Sequence, residues 1–166
     1  MILTGGANGI GAATVREFQR QGARVYFCDR DSSAGAKLER ELPGTHFAKV
    51  DLQKEKEILR WVERVKKAEG RIQVLVNNAA IDPRIPLAEQ TVEKVDELFA
   101  INLRPFFILA RACAPLMPSR QSSMINLSSI TFHQGPANMS GYVATKAGII
   151  GFTRALAREL GLRGFA

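Results

Sequence analysis

The amino-acid sequence predicts a doubly wound α/β protein, a parallel sheet covered by helices on both faces. Three observations predict it. Short apolar runs of strand length alternate along the chain with longer amphipathic stretches of helix length. Glycine and proline punctuate the joins, at Gly22, Pro43-Gly44 and Gly70. No internal repeat, low-complexity segment or linker divides the 166 residues, a length that suits a single domain spanning residues 1–166. Right-handed crossovers then favour the doubly wound topology over its alternatives.

The elements follow in order. Ile2-Leu3-Thr4 is a strand stub, and residues 9–21 form a helix with Ala12, Val15 and Phe18 inward and Gly22 as its stop. Residues 24–28 are a second strand. Ser32 or Ser33 caps the next helix, whose Ala34, Leu38 and Leu42 recur at four-residue steps. Residues 45–50 are the third strand. Residues 52–69 form a helix with Ile58, Trp61, Val62 and Val65 on one face, and residues 72–76 a fourth strand. After a loop containing Pro83 and Pro86, residues 91–99 read as helix. Pro105 suits the first turn of another helix that runs to about Met117, because its missing N–H is not needed there. Residues 124–127 are the fifth strand and residues 141–160 the last helix.

Composition narrows the function classes. With 46% hydrophobic and 23% charged residues, disorder and collagen-like repeats are excluded. No apolar run approaches the ~20 residues of a membrane span. The opening MILTGGANGIG shows no basic segment followed by an apolar stretch, so no signal peptide and a cytoplasmic location are expected. Cys28 and Cys113 lack metal-ligand spacing and are expected to be reduced core thiols, with no metal bound. The net charge is +7, and residues 98–166 carry seven basic side chains against the single acid Glu159. Those seven are scattered, with no aromatic platform between them, so no nucleic-acid partner is expected.

The chemistry-bearing residues fall at the carboxyl ends of strands, where ligands bind on such sheets. Gly5, Asn8, Gly9, Ile10 and Gly11 make a glycine-rich turn between the first strand and first helix. Glycine there lets a pyrophosphate approach the backbone, and the helix N-terminus offers N–H groups to the anion. A merely flexible loop would share that composition. Asp29 ends the second strand, 18 residues beyond Gly11, where an acid accepts hydrogen bonds from ribose hydroxyls. Its charge would repel a 2′-phosphate, so NAD is favoured over NADP. Arg30 argues the other way, and Asn8 within the turn tilts back toward NAD. Asp51-Leu52 and Asn78-Ala79-Ala80 put small or polar groups at the same edge, though either alone passes for a turn.

Tyr142 and Lys146, four residues apart, share a helix face. A phenol titrates near 10, and an ammonium beside it is expected to lower that by roughly 1–3 units, making it a usable acid and base. An ordinary amphipathic helix shows the same spacing. Ser128-Ser129 follows the fifth strand. Neither His46 nor His133 is convincingly placed as a base for either serine, and no GxSxG turn surrounds them.

Taken together, over residues 2–161, these motifs resemble the short-chain dehydrogenase/reductase family with its Rossmann-type fold. The resemblance implies a hydride transfer between a nicotinamide cofactor and a secondary alcohol or ketone. It selects Ser129 over Ser128 and adds Asn102, giving Asn102, Ser129, Tyr142 and Lys146 as the catalytic set. Gly5, Asn8, Gly9, Ile10 and Gly11 would hold the pyrophosphate side. Asp29 with Arg30 would meet the ribose, Asp51-Leu52 the adenine, and Asn78-Ala79-Ala80 the cofactor's path. Tyr142 and Lys146 would also contact the cofactor. Ala80 stands where the family more often has glycine. Val143, Ala144, Ala147, Ile149, Ile150 and Phe152 cover more than one face of the last helix, and by the resemblance they imply a homo-oligomer, a dimer or tetramer. The family pattern continues past Gly164-Phe165-Ala166 and begins before Ile2, so truncation at both ends and an open sheet edge beside the fifth strand are expected. The alternative function is a cofactor-binding fragment or pairing subunit that does no chemistry.

Overall fold

In the computed structural model, which describes residues 1–118 and 120–161, the chain alternates strand and helix throughout. It runs β1 (Ile2–Thr4), α1 (Gly9–Arg20), β2 (Val25–Asp29), α2 (Ser32–Glu41), β3 (Thr45–Lys49), α3 (Glu55–Glu69) and β4 (Val74–Asn77). Then follow α4 (Val92–Asn102), α5 (Arg104–Cys113), β5 (Ser123–Asn126), the short α6 (Thr131–Gln134) and α7 (Ser140–Gly161). All strand pairs are parallel, in the order β3-β2-β1-β4-β5. The winding reverses between β1 and β4, and the crevice at their carboxyl ends is where a ligand fits. This is the doubly wound sheet that the alternation predicts.

Helices cover both faces. On one, Ile58, Trp61, Val62 and Val65 of α3 and Leu109 and Cys113 of α5 pack over Ile2, Cys28 and Leu75. On the other, Val15 of α1 and Leu38 of α2 pack over Leu3, Phe27 and Val76. Strand residues pointing to both faces are buried, which is why β1 reads as a continuous apolar run.

Several boundaries differ from the sequence reading. The cap of α2 is Asp31, whose carboxylate accepts from the Ala34 N–H at 3.0 Å, and not Ser32 or Ser33. The helix expected from Leu52 begins at Glu55, because Asp51 accepts from the Gln53 N–H and turns the chain first. The helix expected to stop at Phe99 runs on to Asn102 and is broken by Leu103 before α5 opens at Arg104. A stretch from Val92 to Leu116 is long and apolar enough by length and composition to cross a membrane, which the sequence reading did not anticipate. It is these two helices, with Leu98, Phe106 and Leu109 buried in the fold. The α6 helix and the turn at Leu87–Glu89 were not anticipated either. Gly164-Phe165-Ala166 lies outside the described residues.

Candidate active site

The carboxyl ends of β1, β2, β3, β4 and β5 open on one cleft of about 480 Å³, within the range of cofactor and ligand pockets. Gly5, Asn8, Gly9, Ile10 and Gly11 line its first wall, with Asp29, Arg30, Asp51 and Leu52 beyond them. Asn78, Ala79 and Ala80 form the floor, and Tyr142 and Lys146 close the far end. Leu127 and Ser128 line that end as well, whereas Ser129 and Asn102 are not among the residues that line the cleft.

In the turn after β1, Gly5 and Gly11 approach neighbouring backbone too closely for a side chain. A Cβ on Gly11 would sit 1.9 Å from the Gly5 carbonyl oxygen. Gly9 adopts φ +53° with nothing within 4 Å of a Cβ position, so open space lies over the start of α1. No side chain caps that helix, and no acid stands in its first turn. Such an end is suited to an anion. Thr4, which opens the glycine-rich turn but has no expected site role, ties the floor to the turn: its hydroxyl accepts from the Asn78 and Ala79 N–H groups at 3.1 and 3.2 Å. The Asn78 amide donates to the Thr4 and Gly5 carbonyls at 2.9 and 3.0 Å.

The acid that ends β2 is held in place. Asp29 accepts from the Ala7 N–H and from the Asp31 N–H, each at 3.1 Å. Its carboxylate is therefore oriented before any ligand arrives.

At the far end, Lys146 is 97% buried and donates to the Leu127 carbonyl at 2.9 Å. Its ammonium lies 5.6 Å from the centre of the Tyr142 ring, on the ring's face. Burial pulls the ammonium below its usual pKa, and the charge of Asp82 opposes that shift. The Tyr142 phenol moves opposite to the sequence expectation. Burial raises it, a hydrogen bond with Ser129 pulls it down, and Asp82 adds to the rise. The ammonium donates to the Leu127 carbonyl, and burial sets the direction at the phenol. The two serines separate cleanly: Ser128 donates to the Lys146 carbonyl at 2.8 Å, while Ser129 accepts from the Thr131 hydroxyl at 2.8 Å and bonds with Tyr142.

Asn102 is fully buried and clamps the chain after β4. It accepts from the Ile81 N–H at 2.8 Å and donates to the Ile81 carbonyl at 2.9 Å and to the Thr145 hydroxyl at 3.3 Å. Thr145 and Leu127 are site residues that spacing could not reveal, since a hydroxyl and a carbonyl that hold other groups leave no motif. His133 is exposed on α6 with its ring against Phe132, and His46 stacks on Tyr26 at the opposite rim. No cluster of three or more His, Cys, Asp or Glu that could hold a metal occurs among the described residues.

The family described as short chain dehydrogenase matches residues 1–165. The chain belongs to the short-chain dehydrogenase family. The L-fucose dehydrogenase of Bos taurus is 36% identical over 160 residues, which are 96% of this chain and 59% of that protein. The D-xylose 1-dehydrogenase of Caulobacter vibrioides (strain NA1000 / CB15N) is 41% identical over 162 residues, 97% of this chain and 65% of that one. This chain thus spans about three-fifths of the length of these relatives. Among solved structures, a metagenomic short-chain oxidoreductase in complex with NADP superposes with a TM-score of 0.93 at 33% identity, covering 99% of this chain and 77% of the other. Oxidoreductase chemistry with a nicotinamide cofactor is what this short-chain dehydrogenase fold serves in that relative.

Proposed function

We propose that the protein oxidises a secondary alcohol, or reduces the matching ketone, by hydride exchange with a nicotinamide dinucleotide, and that its substrates are sugars or related polyols. The observation that carries this reading is the shared cleft: the glycine turn and Asp29 stand at one end and Tyr142 and Lys146 at the other, with Ser129 bearing on the Tyr142 phenol. The names of the fucose and xylose dehydrogenases support the substrate class.

The residues fit the cofactor. The open space over Gly9, the uncapped start of α1 and the oriented Asp29 suit a pyrophosphate and its neighbouring ribose. The cofactor supplies the hydride chemistry when bound. The chain supplies position and proton handling. In the oxidative direction the Tyr142 phenolate would take the hydroxyl proton of the alcohol, with the bound nicotinamide as the two-electron acceptor. Ser129 hydrogen-bonds the substrate oxygen, and Lys146 holds positive charge beside the phenol. Asn102 keeps the loop after β4 and α7 in register.

NAD is our preferred cofactor, because the Asp29 carboxylate in the cleft would repel a 2′-phosphate on a ribose that it held. Arg30 in the same cleft, together with the NADP bound to the structural relative, supports the opposite assignment. Initial rates with each cofactor separate the two.

We also propose a homo-oligomer that pairs through α5 and α7. There Phe107 is 52% exposed, and its ring lies 4.3 Å from that of Phe152. Sedimentation at several concentrations tests this, and a monomer throughout would end it.

The main test is turnover of an aldose and alcohol panel by the full-length protein and by Tyr142→Phe. Loss of roughly 100- to 10,000-fold in kcat/KM with cofactor binding retained is expected. Undiminished turnover by the variant would remove Tyr142 from the chemistry. Cofactor binding without turnover by the parent would favour a binding or pairing subunit instead.

A further inference from the structure

Lys146 is a buried cation on a helix whose inner face is largely polar. Of the buried residues of α7, Gly141, Thr145, Lys146 and Ile149, just one is a large apolar side chain. Apolar burial is non-directional, so it sets the place of such a helix along the sheet less closely than hydrogen bonds do.

Consecutive residues at the end of β5 supply those bonds. The Asn126 amide donates to the Thr153 hydroxyl at 3.0 Å and accepts from the Asn77 amide at 2.9 Å. The Leu127 carbonyl accepts from the Lys146 ammonium at 2.9 Å, and the Ser128 hydroxyl donates to the Lys146 carbonyl at 2.8 Å. Lys146 is thus held by adjacent residues at both its head and its backbone. Leu127 is itself fixed by the sheet, its N–H donating to the Asn77 carbonyl at 3.0 Å. Leu127, Ser128, Tyr142 and Lys146 all line the cleft.

We propose that Ser128 is a positioning residue, which together with the Leu127 carbonyl clamps Lys146 at one place in the cleft, over the face of the Tyr142 ring. The two contacts divide the task. Among the described residues the ammonium has the Leu127 carbonyl as its one acceptor, which leaves N–H groups for a ligand in the cleft. That bond alone cannot fix the head, because a flexible lysine stem lets it stay on Leu127 while the helix shifts. The Ser128 hydroxyl removes this freedom by holding the backbone end of the same residue. Its proton is spent on that carbonyl, which gives the adjacent serines separate tasks. The inference rests on the hydride-transfer reading and deepens it, by naming what sets the place of the cation.

The experiment compares the full-length protein with Ser128→Ala, Ser128→Thr and Thr153→Val. It measures kcat and KM for the best aldose of the panel, and the Kd of NADH and NADPH by calorimetry. For Ser128→Ala, kcat is expected to fall roughly 10- to 100-fold, the scale of loss when a reacting group is displaced by about an ångström, with KM for the aldose little changed. The cofactor Kd should rise roughly 2- to 10-fold. Ser128→Thr keeps the hydroxyl and should restore both. Thr153→Val breaks a tie of the same helix away from Lys146, and should lower the melting temperature while leaving kcat and Kd within about twofold of the parent's. Should Ser128→Ala not fold, Ser128→Cys, with similar volume and a weaker donor, carries the same comparison. Unchanged kcat and Kd in Ser128→Ala would overturn the assignment while leaving the oxidoreductase reading intact. So would an equal loss in Thr153→Val, which would reduce the effect to helix docking, or a Ser128→Thr that restores nothing. A parent that binds cofactor but turns over no alcohol would sink the hydride-transfer reading, and the Kd series would then decide the clamp.

Discussion

Asn102 and Tyr142 show how far individual side chains can be read. The family resemblance selected Asn102, but only the structure shows its contacts: one buried amide answers both polar groups of Ile81 and reaches Thr145. Asn102→Ala is expected to cost about 1–3 kcal/mol for each buried group left unpaired, read as a lower urea midpoint. Tyr142 teaches the opposite lesson. Spacing placed it beside a cation, yet the direction of its pKa depends on how deeply the phenol sits and on Asp82, neither of which spacing carries. Under the proposed mechanism, in which oxidation uses the phenolate, a raised pKa puts the rising limb of kcat/KM at higher pH. Asp82→Asn removes a negative charge that supports that rise, so the limb should move to lower pH. The groups bearing on the phenol are Lys146, Ser129 and Asp82. A limb that stays fixed in the variant would show that another group titrates.

At the scale of elements, periodicity located strands and helices well and their ends less well. The α3 stripe of Ile58, Trp61, Val62 and Val65 was legible because four apolar residues on one face have no reason to recur unless that face is buried. The start of α3 was not, since Asp51 spends its side chain on a turn before the helix begins. Short α6 lacked enough residues to establish a period. Trp61 fills the centre of the α3–α5 layer at 2% exposure, and Trp61→Ala is expected to destabilise the fold by about 3–5 kcal/mol. Chemical denaturation measures it. A loss below 1 kcal/mol would mean that this layer contributes little to holding the helices on the sheet.

For the molecule as a whole, topology was the most legible feature, because alternation and handedness leave few ways to wind five parallel strands. The cleft followed from topology. Its details did not, because they depend on backbone contacts such as the Thr4 hydroxyl beneath Asn78 and Ala79. The choice between nicotinamide cofactors stayed open for a physical reason: Asp29 and Arg30 have opposite charge, adjoin in sequence and line the same wall.

The walls of the cleft come from opposite sides of the seam between β1 and β4, the nucleotide turn and Asp29 on one and the α7 pair on the other. A dinucleotide laid along it would therefore staple two halves of the sheet, adding to the ladder, the core and the Thr4–Asn78 bonds that already join them. Occupancy should appear as heat resistance, with a stabilisation of about 2.7 kcal/mol when free cofactor reaches a hundred times its Kd. A melting curve taken against rising NAD or NADP would rank the two before any substrate is known.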